Sequence, residues 1–142
     1  MALSDMAILV DTSQPLIVVT FDGAVDDDEF DRYLEALTAN MQVPGRYALI
    51  LDASAAGRAT MSQVRKQAAW MQAHAEYINT WSVGIAVVIT SPVVQRVLSA
   101  IFWIEPLHHT PFITTTKAKA QSWCRARLQE NPGPPQPRAL AL

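Results

Sequence analysis

The chain has 142 residues, half of them apolar and 17% charged, a balance that supports a packed core and excludes a disordered polymer. Eleven Lys and Arg against thirteen Asp and Glu leave a net charge of −2. That argues against binding nucleic acid or an anionic membrane, since either needs a basic excess. The single cysteine, Cys124, excludes an intrachain disulfide and fits a reducing, cytoplasmic setting. No apolar run approaches the ~20 residues of a membrane span, and residues 1–11 lack the basic start of a signal peptide.

Residues 6–10 and 16–21 are two β-rich runs separated by a short turn-forming stretch with Pro15, which predicts an antiparallel hairpin. Asp22-Gly23 ends the second run. Asp26 then caps a helix, with Glu29 in the reciprocal position of a capping box and Val25 and Phe30 placed as a hydrophobic staple. Phe30, Tyr33, Leu34, Leu37 and Met41 follow at helical spacing. The acidic run from Asp26 to Glu29 reads as helix-start electrostatics, because carboxylates sit well at the positive end of the helix dipole.

Pro44-Gly45 closes this unit, and residues 47–52 form a continuous apolar run ending in Asp52, as a buried parallel strand does. Thr60 and Gln63 give a second capping box that opens one long helix to about residue 79. Val64, Ala68, Met71, Ala75 and Ile78 form its core stripe, with an aromatic stripe of Trp70, His74 and Tyr77 beside it. Residues 83–90 are another buried strand. Ser91 caps the next helix, with Pro92 at its first position, and that helix runs to Glu105 before Pro106 stops it. Residues 111–115 make a short strand and residues 117–130 a helix with Ala120, Trp123, Cys124 and Leu128 inward. The order β-β-α-β-α-β-α-β-α implies an α/β fold with a mixed five-stranded sheet covered by helices. Residues 1–130 read as a single domain and residues 131–142, with four of the nine prolines, as an extended or disordered tail.

Four features carry a resemblance to a known family. They are the hairpin ending in Phe21-Asp22-Gly23 before an acidic helix start, and Leu49-Ile50-Leu51-Asp52 followed by a loop and a capped helix. The other two are the apolar run 84–89 before Ser91-Pro92, and Phe112-Ile113 before a helix with Ala120-Gln121-Ser122-Trp123. Over residues 6–130 the chain resembles the compact STAS-like proteins, the class of the bacterial anti-sigma-factor antagonists. The resemblance implies a regulatory or scaffolding role in protein–protein interaction. In the antagonists a phosphorylatable serine doublet follows the central strand. Here the segment from Asp52 to Thr60 lacks the doublet and is longer, so Ser54, Thr60 and Ser62 are the only hydroxyls placed for such a switch. CRAL-TRIO lipid-transfer domains share a related sheet order, which keeps a carrier of a small apolar ligand as the alternative.

The helix over residues 92–105 is apolar in almost every direction, whereas packing on one sheet face needs only about a 100° stripe. Val94, Val97, Leu98 and Ile101 suffice for that stripe, so Phe102 and Trp103 are surplus. With Val93, Arg96, Ile101, Trp70 and Tyr77 they mark the expected surface for a homodimer, another protein partner or an apolar ligand. No catalytic residue, metal site or cofactor is expected, and an enzyme using His108 or His109 is the remote alternative. His108 and His109 are adjacent, so they point apart in extended chain. Cys124 lies among packed positions, and the five glycines are spread too widely to form a phosphate-binding loop.

Overall fold

The computed structural model describes residues 8–11, 15–23, 25–41, 45–56, 60–93, 95–96 and 111–131. Their elements are β1 (Ile8–Asp11), β2 (Leu16–Gly23), α1 (Asp27–Met41), β3 (Tyr47–Ala56), α2 (Met61–Ala73), α3 (Ala75–Trp81), β4 (Ser82–Val88), β5 (Phe112–Thr114) and α4 (Lys117–Glu130). The fold is α/β. Strands β2 to β5 run parallel and in chain order, and β1 joins antiparallel at the β2 edge. The tail after residue 131, and most of the helix expected over 92–105, lie outside the described residues.

The helix starts follow from local chemistry. Asp26 accepts the Glu29 N–H at 2.8 Å, satisfying one of the donors that a first turn leaves open. At α2 the capping box is complete: Thr60 Oγ1 accepts the Gln63 N–H at 3.1 Å, and the Thr60 N–H donates to Gln63 Oε1 at 3.4 Å. Thr116 caps α4 through the Lys119 N–H at 3.3 Å.

The single long helix expected over 60–79 is instead two, broken at His74, whose φ of −107° and ψ of 18° leave the helical range. At the break the Trp70 carbonyl is shared between side chain and backbone. The imidazole Nδ1 lies 2.9 Å from the Trp70 carbonyl, which the His74 N–H also approaches at 3.1 Å. The ring stacks on Trp70 with centroids 4.6 Å apart.

Strand alternation divides the core into two layers. Ile17, Val19, Phe21, Tyr47, Leu49, Leu51, Ile85 and Val87 face α1, α2 and α3 and bury Phe30, Tyr33, Leu37, Val64, Met71 and Ile78 against them. Ala48, Ile50, Val83, Ala86 and Val88 face α4, packing on Ala120 and Cys124. This division follows from the topology. Strands laid down in one direction with right-handed crossovers put their connecting helices on one face, and α4, following the last strand, covers the other.

The seam between α1 and α2 is polar where most helix pairs are apolar. Gln63 Nε2 donates to the Val25 carbonyl at 2.7 Å and to Asp27 Oδ1 at 3.2 Å. Lys66 pairs with Asp31 at 3.0 Å. The buried Tyr33 hydroxyl donates to Gln67 Oε1 at 2.7 Å, and Trp70 Nε1 donates to Thr38 Oγ1 at 3.0 Å. Burial holds the Tyr33 phenol far above its ordinary range, so it stays a neutral donor.

Under α4 the strand itself is modified. Tyr47 pairs with Ser82 and Ala48 with Gly84, so Val83 is an extra residue, a bulge in β4. The Val83 carbonyl accepts Arg127 Nε at 2.8 Å. The Trp123 ring lies directly over Gly84 and stacks on Phe112 at 5.1 Å.

Candidate functional site

In open parallel sheets, ligands meet the loops beyond the carboxyl ends of the strands. At that end of this sheet β3 and β4 part company. Asp52 is the last β3 residue paired on both sides, with Thr20 and with Val88. Beyond it, β3 continues beside β2 through Ala55 and Ala56, whereas β4 stays with β5, its Ile89 N–H donating to the Thr114 carbonyl at 2.9 Å.

The parting coincides with a second bulge. Thr20 pairs with Asp52, yet Asp22 pairs with Ala55, so β3 holds one extra residue over this stretch. A bulge leaves a backbone N–H without a ladder partner, and a buried carboxylate needs donors. Asp52, 4% exposed, answers both needs. Its Oδ1 accepts the Ser54 N–H at 3.0 Å and the Ser54 hydroxyl at 2.6 Å. Ser54 itself is exposed, as are Thr60, Met61 and Ser62 at the start of α2 and Thr90, Pro92 and Val93 after β4. Met61 is 37% and Val93 61% exposed, the two large apolar side chains most open to solvent among the described residues. The helix start of α1, with Asp26, Asp27 and Asp28 exposed, lies at the same end of the sheet.

The rim is therefore a fixed carboxylate–hydroxyl turn beside a capped helix start, with apolar side chains open to solvent. It can accept hydrogen bonds and bury apolar groups of a partner. No known protein-family profile matches the chain, and no curated protein does. Function must be read from the geometry.

The structure brings together only some of the residues singled out in the sequence. Ser54, Thr60 and Ser62 lie at the same end of the sheet, but not as equals. Ser54 is tied to Asp52 and Thr60 to its cap, whereas Ser62 sits exposed on the first turn of α2. Val93 and Arg96 are exposed on the segment that leaves β4 at this end. Trp70 does not belong to a partner surface: it is 7% exposed and engaged with Thr38 in the α1–α2 seam. Tyr77 is half-buried on the core and packs on Trp81. Ile101, Phe102, Trp103, His108 and His109 lie outside the described residues. Asp52 was not among the expected site residues, although an aspartate followed two positions later by serine is the sequence sign of such a turn.

Other reactive groups lie elsewhere. Cys124 is fully buried on the inner face of α4, its Sγ 3.9 Å from the Leu49 carbonyl, and burial pushes its thiol up to about 12. At pH 8 it carries roughly a thousandth of the thiolate of an ordinary thiol near 9. The native protein is therefore expected to resist iodoacetamide, with full labelling only in denaturant, as intact-mass measurement reads directly. The neutral thiol is the folded form's preference, so its contribution is complete below pH 9 and is lost as pH rises towards 12. Among the described residues, no three His, Cys, Asp or Glu side chains are grouped to hold a metal ion, and no helix is long and apolar enough to cross a membrane.

Proposed function

We propose that the chain is a non-enzymatic regulatory or scaffolding domain of STAS-like type that binds a protein through the rim at the carboxyl ends of β3 and β4. A second copy of the chain is the simplest partner. The observation that carries this reading is the bulge at Ser54, held by Asp52 Oδ1 through bonds of 3.0 and 2.6 Å. Bulges re-aim side chains where a strand meets a functional surface, and this one holds the exposed Ser54 in a fixed turn. The antiparallel β1 beside four parallel strands, with a hydroxyl near the end of β3 and a capped helix following it, supports the STAS-like part.

The same geometry favours binding over catalysis. The Ser54 hydroxyl donates to a carboxylate that is itself spent on the turn, and Thr60 is spent on its helix. It also suggests how the loop is regulated. A phosphate on Ser54 would place two negative groups within hydrogen-bond distance, and like-charge repulsion would open the turn.

Light scattering tests self-association. The wild type is expected at twice the chain mass and Val93→Glu at the single-chain mass, because a charge replaces an apolar group in the contact. A wild type that remains at the single-chain mass across the concentration range removes the homodimer and leaves a different protein as the partner.

A further inference from the structure

We draw no further inference here: the strongest candidate, the half-buried Arg46 guanidinium at the start of β3, whose Nε and Nη1 meet no hydrogen-bond acceptor, carries nothing because nothing among the described residues shows what covers it.

Discussion

Replacing Trp70 by alanine is expected to lower the unfolding free energy by about 3–5 kcal/mol, the cost of removing a buried aromatic ring. The ring is buried between α2 and α1 and supports the His74 imidazole stacked on it. Its Nε1 donates to Thr38 Oγ1, whose hydroxyl in turn donates to the Leu34 carbonyl at 2.9 Å. Truncation therefore opens a cavity, removes one rung of the polar seam and frees the helix break from its support. Trp70→Phe separates these effects. It keeps most of the volume and loses the N–H donor, so it is expected to cost about 1 kcal/mol from the hydrogen bond together with a smaller packing loss. Urea unfolding of the three proteins reads both values. Equal losses in the two variants would mean that the hydrogen bond, and not the ring, holds the seam.

Gly84→Val is expected to cost about 3 kcal/mol, at the upper end of overpacking effects. A Cβ at Gly84 would stand 2.7 and 2.8 Å from two Trp123 ring carbons and 3.4 Å from Arg127 Cγ. The ring has little freedom to withdraw. Phe112 stacks on it, and the Arg127 guanidinium lies 5.9 Å from its centroid while Nε holds the Val83 carbonyl. Adding Trp123→Leu to Gly84→Val should recover part of the loss, giving a coupling between the two sites where distant sites would simply add. Thermal unfolding of the single and double variants checks it, and strict additivity would contradict the contact.

Much of this architecture can be read in the chain. Residues 16–21 and 47–52 are strands as read, and in them Ile17, Val19 and Phe21 meet the same layer as Leu49 and Leu51. The caps at Asp26 and Thr60 are visible because they rest on contacts three residues apart. The misreadings share a physical origin. Helical periodicity runs unbroken through His74, and the break shows only in that residue's backbone angles and in its ring's contact with the carbonyl four residues earlier. The bulges at Val83 and near Ser54 are properties of pairing between strands, which no single strand's pattern records. A stripe at helical spacing likewise says which residues share a face, not what that face meets. Trp70 was therefore expected on a surface, yet it lies in the α1–α2 seam. The rim was legible only in its parts. The hydroxyls Ser54, Thr60 and Ser62 stand out in the sequence, but the parting of β3 and β4 that unites them depends on register.

We propose that the rim is where another protein docks. The most direct test places a photo-crosslinking amino acid at single positions of the full chain in its native cells. Met61 and Val93 report the rim, and the exposed Arg125 on α4 and Glu35 on α1 report surfaces away from it. Irradiation is expected to give a covalent protein adduct from Met61 and Val93 and none from Arg125 or Glu35. The mass of the adduct distinguishes a second copy from a different protein. Adducts from Arg125 or Glu35 with none from the rim positions would contradict the account.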